Sequence, residues 1–182
     1  MFNIRKELEI RKIQSKEELD EVIALNLAEW GAKYFGTEEE AERLTREQYK
    51  DPARHTLIAV RDGKVIGTAG LVERDVYNVF EGVNIRDKNL GYCSRLVVHK
   101  DFRKIGIARR LLIAREELAS KLGFTDVFLI IVEKRDSDLC RMHIKNGWTI
   151  GQEKQVAGFG ECLILTKSLQ PSNDLSIEKK MF

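Results

Sequence analysis

The stretch 93–112, CSRLVVHKDFRKIGIARRLL, contains the residues best suited to bind a phosphorylated ligand. The apolar, β-branched run 93–98 predicts a buried strand, and apolar residues recurring from Ala108 at helical spacing predict a helix, so the loop 103–106 joins the two. The first turn of a helix has backbone N–H groups without intrahelical acceptors and carries the positive end of the helix dipole. Gly106 lets a ligand approach the backbone closely. The sequence therefore predicts a diphosphate-binding cradle at this turn.

Two common phosphate-binding motifs do not account for this turn. The chain has no G-x-x-x-x-G-K-[ST], and it has no G-x-G-x-x-G between a strand and a helix, which disfavours binding of ATP or NAD. Arg103, Lys104, Arg109 and Arg110 lie at the same turn. Such charges usually form a solvated helix face, but here they would concentrate positive charge beside a bound phosphate.

Local signals before the turn define the elements that must position it. Ser15 to Glu18 and Thr37 to Glu40 each have the pattern of a helix-capping box, and Pro52 interrupts the second helical pattern. Asp62-Gly63 lies between two apolar runs, 56–61 and 64–73, and predicts a tight hairpin. The expected order up to the turn is a strand over 8–13, two helices, the hairpin and the strand 93–98.

After the turn, the pattern continues with a strand, a helix and a closing strand. The run 126–132 is almost entirely apolar, as expected of a strand buried on both faces. Asp136 or Ser137 can cap a helix that runs to about Asn146, and Gly147 can end it in the left-handed conformation. The run 161–168 has the composition of a final strand.

The residues Val98, Phe102, Arg103, Gly106 and Ala108 have the spacing V-x-x-x-F-R-x-x-G-x-A. This spacing resembles motif A of the GCN5-related N-acetyltransferase (GNAT) superfamily, [QR]-x-x-G-x-[GA] after V-x-x-x-[FY]. The helix that ends at Gly147-Trp148 is similar to the superfamily's motif B, with the tryptophan in its aromatic position, and 161–168 matches its closing strand.

The resemblance extends over about residues 5–169 and implies a single-domain α/β (α+β) GNAT fold. The implied order is β-α-α-β-β-β-α-β-α-β-β, in a mixed, mostly antiparallel sheet whose fourth and fifth strands splay apart. The domain is expected to occupy residues 1–169. The polar segment 170–182 is expected to be a loosely ordered C-terminal tail.

The activity implied by the resemblance is direct transfer of an acetyl group from acetyl-CoA to a primary amine of a small molecule or peptide. The fourth strand would pair with the pantetheine, the cradle would bind the diphosphate, and no metal is implied. The residues implied to bind the coenzyme are Leu96, Val97, Val98, Arg103, Lys104, Ile105, Gly106, Ile107, Ala108 and Arg109.

Catalytic residues follow less directly from the resemblance. Many members carry a tyrosine four residues before the motif B glycine, and His143 occupies that position here, so His143 is the candidate acid for the leaving thiolate. Glu73, at the end of the third strand, is the candidate base, with Asp75 and Glu81 as alternatives. Asp136 replaces the asparagine that often opens motif B, which puts one pantetheine contact in doubt.

A second resemblance involves the pair Ser94-Arg95 in the fourth strand. This pair resembles the same site in the branch of the superfamily that makes N-acyl amino acids and acyl-homoserine lactones from long acyl chains on acyl carrier protein. On this interpretation Arg95 binds a carboxylate of the acceptor and Trp30 helps to line the pocket. A third alternative is a non-catalytic sensor or interaction module that binds acyl-CoA. Members of the fold are often homodimers, although no feature of the sequence requires one.

Composition narrows the possible classes of partner, metal site and cellular location. The 182 residues are 43% hydrophobic and contain 31 basic and 29 acidic side chains, which permits one well-packed domain and disfavours nucleic acid as a partner. The three cysteines match neither a zinc site nor a disulfide framework, so buried, reduced thiols are expected. The sequence shows no signal peptide and no membrane-length apolar span, which predicts a cytoplasmic protein.

Overall fold

A computed structural model describes residues 8–30, 37–73, 89–132, 135–156 and 159–169. The described residues form strands and helices in the order predicted from the sequence. The strands are β1 (Glu9–Lys12), β2 (Arg54–Arg61), β3 (Lys64–Val72), β4 (Leu90–Val98), β5 (Asp126–Ile131), β6 (Thr149–Val156) and β7 (Gly160–Ser168). The helices are α1 (Lys16–Trp30), α2 (Glu38–Tyr49), α3 (Ile107–Lys121) and α4 (Asp138–Lys145), with a 3₁₀ turn at Lys100–Phe102.

The strands lie in the sheet order β1-β2-β3-β4-β5-β7-β6. β4 runs parallel to β5, whereas β1–β2, β2–β3, β5–β7 and β6–β7 are antiparallel, so the predicted mixed and mostly antiparallel sheet is confirmed. The register of β4 with β5 comprises three pairs, from Leu90 with Asp126 to Tyr92 with Phe128. Both strands continue beyond these pairs, to Val98 and Ile131.

The described chain divides into two compact units. The first unit contains the residues up to Val72 together with Cys93–Arg115. The second contains Glu73, the beginning of β4 and the residues from Glu116 onward. The boundaries cross β4 and α3, so each of these elements contributes to both units.

Local sequence signals explain the hairpin and the helix cap of the first unit. Asp62 and Gly63 have φ angles of 58° and 73°, and they connect the paired residues Arg61 and Lys64 in the predicted two-residue hairpin. Thr37 caps α2, since its hydroxyl accepts a hydrogen bond from the Glu40 N–H at 3.2 Å. Helix α1 packs its apolar face on the hairpin. The cluster there joins Val22, Ile58 and Val60 to Ile13, Tyr49 and Val65.

A bidentate ion pair joins β1 to the first turn of α1. The guanidinium of Arg11 contacts both carboxylate oxygens of Glu18, at 2.9 and 2.6 Å. The Glu18 carboxylate also accepts from the Gln14 N–H at 2.8 Å, and the Ser15 hydroxyl accepts from the Glu18 N–H at 3.2 Å. The bond from the Glu18 N–H to Ser15 is that of the predicted capping box, and the Glu18 carboxylate reaches back to the N–H of Gln14.

This ion pair should make stability depend on pH in the acidic range. The hydrogen bond from Arg11 lowers the pKa of Glu18 from 4.5 to about 2. The stabilisation is therefore present above the ordinary carboxylate pKa and is lost as pH falls from about 4.5 through 2. We expect Glu18→Gln to lower the urea midpoint at pH 7 and to have less effect at pH 2. Equal losses at both pH values would contradict this origin.

The second unit is built around the antiparallel pairs β5–β7 and β7–β6. Ser137 caps α4, since its hydroxyl accepts from the Cys140 N–H at 3.2 Å, and Gly147 follows the helix with φ 85°. Glu116 then joins two elements of this unit. Its carboxylate pairs with the Lys167 ammonium at 2.6 Å and accepts from Trp148 Nε1 at 2.7 Å.

Cys93, Cys140 and Cys162 are all buried and unpaired by disulfides, as expected. Burial raises the pKa of the Cys162 thiol. Within the ranges that the structure describes, none of the helices has the length and apolar character needed to cross a bilayer.

Candidate active site

The predicted cradle lies between β4 and α3 in the first unit. Lys104 and Gly106 both have left-handed backbones, with φ angles of 64° and 87°. Left-handed residues in a turn can direct neighbouring N–H groups toward one concave surface, which favours anions. The first hydrogen bond of the helix runs from the Arg110 N–H to the Gly106 carbonyl at 3.1 Å, so the N–H groups of Ile107 and Ala108 precede any intrahelical acceptor.

Close packing of α3 on β3 fixes the position of this turn. A Cβ atom at Gly67 would lie 3.0 Å from Leu111 Cδ1, 3.1 Å from the Val97 carbonyl oxygen and 3.4 Å from Ile107 Cγ2. Only a glycine lets the first turns of α3 approach the sheet so closely. The His99 N–H also donates to the Ile66 carbonyl at 2.9 Å, which anchors the chain between β4 and the 3₁₀ turn.

The basic side chains at the cradle differ in their partners. Arg103 Nε donates to the Val98 carbonyl at 2.9 Å, and its Nη2 pairs with Glu29 at 2.6 Å. Arg110 Nη2 donates to the Leu8 carbonyl at 3.2 Å. Lys104 and Arg109 are exposed, as is Ile105 with 60% of its surface accessible. Part of the predicted positive charge is therefore used to hold the turn against β4 and α1.

The end of β4 contains a backbone irregularity at Arg95. Its φ angle is 50°, a left-handed value that is unusual for a residue other than glycine, inside a strand. Leu96 after it is partly exposed, whereas Val97 and Val98 are buried at 3% and 8% exposure. A left-handed residue breaks the alternation of the strand and redirects the neighbouring N–H and carbonyl groups. Strain of this kind is concentrated at functional sites.

Arg95 is held by the C-terminal turn of α2. Its Nη2 donates to Oε1 of Gln48, and its guanidinium carbon lies 5.7 Å from the centre of the Tyr49 ring. The Tyr49 hydroxyl in turn accepts from Asn26 Nδ2 at 3.3 Å. Trp30, the other residue predicted to contact substrate, is partly buried at the end of α1.

Two arginines beside Ser94 were missed as site residues. Arg54 Nη1 lies 3.5 Å from the Ser94 hydroxyl, and Arg115 Nη1 donates to the Ser94 carbonyl at 3.3 Å. Arg115 is only 1% exposed. The sequence did contain a signal for Arg115. It occupies a position on the apolar face of α3, so an arginine there is expected to be buried.

The predicted catalytic residues belong to the second unit. His143 is 2% exposed, its Nδ1 lies 2.9 Å from the Leu139 carbonyl, and its ring meets that of Trp148 edge-on at 5.5 Å between centroids. In the neutral ring this contact makes Nδ1 the proton donor, so Nε2 must gain a proton before it can act as an acid. Glu73 is partly buried in a bend directly after β3.

Asp136 lies exposed in the turn before α4. Asp75 and Glu81, the two alternative bases, and the predicted tail 170–182 lie outside the described residues. Among the residues that are described, no three histidine, cysteine, aspartate or glutamate side chains lie close enough together to hold a metal ion.

Residues 19–148, well over half of the chain, match the Acetyltransferase (GNAT) family. The chain belongs to the GNAT acetyltransferase family. The match includes the cradle, β4 and α3, the elements whose order and spacing first indicated a diphosphate site. No curated protein matches this acetyltransferase by sequence.

Solved structures show the same fold at low sequence identity. Aminoglycoside 6'-acetyltransferase type Ii has a TM-score of 0.71 and 17% identity over 90% of this chain and 98% of its own. An aminoglycoside 6'-N-acetyltransferase complexed with coenzyme A has a TM-score of 0.70 and 16% identity over 90% and 98%. The PaiA N-acetyltransferase of Thermoplasma acidophilum, in complex with coenzyme A, has a TM-score of 0.62 and 22% identity over 89% and 99%.

Proposed function

We propose that this protein is an N-acetyltransferase that moves the acetyl group of acetyl-CoA directly to a primary amine. The observation that carries the proposal is the cradle itself. Left-handed residues at Lys104 and Gly106 precede the N-terminus of a 15-residue helix, in a chain that belongs to the GNAT acetyltransferase family. Coenzyme A is bound in two proteins of similar fold, which supports acetyl-CoA as the co-substrate.

In this proposal the first unit binds the coenzyme. The N–H groups of residues 104–108 donate hydrogen bonds to the diphosphate, and open space at Gly106, where an added Cβ would meet nothing within 4 Å, leaves room for it. The exposed Lys104 and Arg109 add positive charge. Backbone groups of Leu96 and Val98 pair with the pantetheine, and the thioester then lies near the irregularity at Arg95.

The chemical step needs an uncharged amine, a donor to the thioester oxygen and a proton for the leaving sulfur. The amine nitrogen attacks the carbonyl carbon, the carbon–sulfur bond breaks, and the thiolate of coenzyme A takes up a proton. We assign removal of the amine proton to Glu73 and donation to the thiolate to His143. Protonation of His143 at Nε2 is part of this assignment, because Nδ1 faces the Leu139 carbonyl.

The decisive experiment combines binding and turnover. We expect acetyl-CoA and coenzyme A to raise the melting temperature alike, and we expect release of free thiol when an acceptor amine is added to acetyl-CoA. A ligand at one hundred times its Kd adds about 2.7 kcal/mol of stability, which is readily detected. No shift with either ligand would contradict the proposal, and a shift without thiol release from any amine would favour a sensor.

A panel of acyl donors tests the alternative function, in which a long acyl chain is supplied by acyl carrier protein. Stabilisation by a long-chain acyl-CoA alone would favour the N-acyl amino acid branch.

A location in the cytoplasm, where acetyl-CoA is available, is part of the proposed function. A homodimer is also part of the proposal, and light scattering on the purified protein tests it.

A further inference from the structure

We infer that the acceptor of this acetyltransferase carries a carboxylate, and that Arg95 binds it. The inference rests on the proposed function and names the class of its second substrate. Arg95 lies directly before the segment of β4 that we assign to the pantetheine, so a group bound by its side chain is near the acetyl group. The cluster that carries the inference comprises Gln48, Arg54, Ser94, Arg95 and Arg115, and all five belong to the first unit.

Arg95 is oriented by its contacts, but none of the described residues neutralises its charge. Its contacts are the Gln48 side-chain oxygen and the Tyr49 ring, and neither carries a negative charge. Its Nη1 is buried and has no hydrogen-bond acceptor in the part of the chain that the structure describes. A guanidinium that is fixed on one side by Gln48, with a donor left unsatisfied, is preorganised to bind an anion.

Two further guanidinium groups converge on the adjacent Ser94. Arg54 lies 3.5 Å from the hydroxyl and Arg115 lies 3.3 Å from the carbonyl oxygen. Arg115 is 1% exposed, and its Nε and Nη2 have no acceptor. Within the described ranges Arg95 and Arg115 make no ion pair with a carboxylate, although buried cations normally have one. The cluster therefore favours a negative charge supplied by a ligand.

The donors fit a two-oxygen anion. Arg95 Nη1 provides one donor, and the Ser94 hydroxyl, which accepts from Arg54, has its own proton to donate. A carboxylate has two oxygens that can accept from two such donors, and an amine on the same molecule is then close to the thioester. The guanidinium groups of Arg95 and Arg115 would repel a polycationic acceptor. The structure thus favours amino acids, or peptides with an acidic group near the amine, over polyamines.

A binding experiment on the full chain tests this inference without a known acceptor. The protein saturated with coenzyme A is titrated at low ionic strength with acetate and, separately, with inorganic phosphate, and melting is followed. We expect acetate to raise the melting temperature by about 3–6 °C at ten times its Kd. Arg95→Gln should remove this shift, while Arg43→Gln, which removes an exposed arginine on α2, should retain it.

A second variant keeps the test decisive if Arg95→Gln folds poorly. Gln48→Glu places a carboxylate against Arg95, so it should abolish the acetate response without loss of stability. Equal acetate shifts in all variants, or none in the wild type, would overturn the inference. An Arg95-dependent response to phosphate alone would replace the carboxylate with a phosphorylated acceptor. Failure of the proposed function is distinct, because it would appear as the absence of any shift with coenzyme A.

The preference should also appear in turnover. We expect thiol release from acetyl-CoA to be at least tenfold faster with amino acids than with the corresponding amino acid amides at equal concentration. Arg95→Gln should reduce this ratio to near one while coenzyme A affinity is preserved. A wild-type preference for the amides, or for an aminoglycoside, would exclude a carboxylate-bearing acceptor.

Discussion

Gly106→Trp should lower the affinity for coenzyme A at least a hundredfold, or about 2.7 kcal/mol. Gly106 has φ 87°, and a Cβ added there would meet no atom within 4 Å. A side chain can therefore begin at this position without a clash at its Cβ, and the indole would occupy the space in front of the first N–H groups of α3. Isothermal titration with coenzyme A measures the loss.

The matched control is Gly123→Trp. Gly123 follows the other end of α3, has φ 88°, and likewise offers open space for a Cβ. Both variants should lose a similar stability, about 1–2 kcal/mol, because a side chain is placed on a left-handed residue. Only the Gly106 variant should lose coenzyme A. Equal affinity of the two variants would contradict the location of the cradle.

Glu116→Ala should destabilise the protein by about 3–5 kcal/mol. Glu116 and Lys167 are 12% and 22% exposed, and the alanine leaves the Lys167 ammonium without its carboxylate. The same change removes the acceptor of Trp148 Nε1, although Lys167 retains its bond of 2.8 Å to the Asn146 carbonyl. The loss is measured by urea denaturation.

The adjacent glutamate provides the control for this prediction. Glu117 is exposed, and Glu117→Ala should change the free energy of unfolding by less than about 0.5 kcal/mol. Glu116→Gln, which keeps one amide oxygen as an acceptor, should fall between the two alanine variants. A loss for Glu116→Ala no larger than that for Glu117→Ala would show that the contacts of Glu116 contribute little to stability.

Elements governed by local chemistry were predictable from the sequence. The hairpin at Asp62-Gly63 and the caps at Thr37 and Ser137 lie where the patterns predict, because each depends on residues at most three positions apart. Boundaries shifted by one to three residues, as in β1 and at the start of β4. Helix α3 ends at Lys121, and Leu122 beyond it is 42% exposed.

Features that depend on distant contacts were not predictable. The partners of Glu116 are 32 and 51 residues away, and no local pattern selects them. The left-handed backbone of Arg95 is imposed on a residue type that does not favour it. The cradle was found because its glycine and its helix are adjacent in sequence. Arg54 lies 40 residues from Ser94 in sequence, and only the folding of the sheet brings it to the arginine cluster around Ser94.

The burial of the three cysteines affects how the enzyme can be observed. Chromogenic disulfide reagents react with accessible thiolates, and Cys93, Cys140 and Cys162 are all inaccessible in the folded chain. The folded protein should therefore contribute almost no colour of its own, so every equivalent of dye formed in a continuous assay reports one molecule of coenzyme A. A slow rise in colour without acceptor would instead count unfolding events.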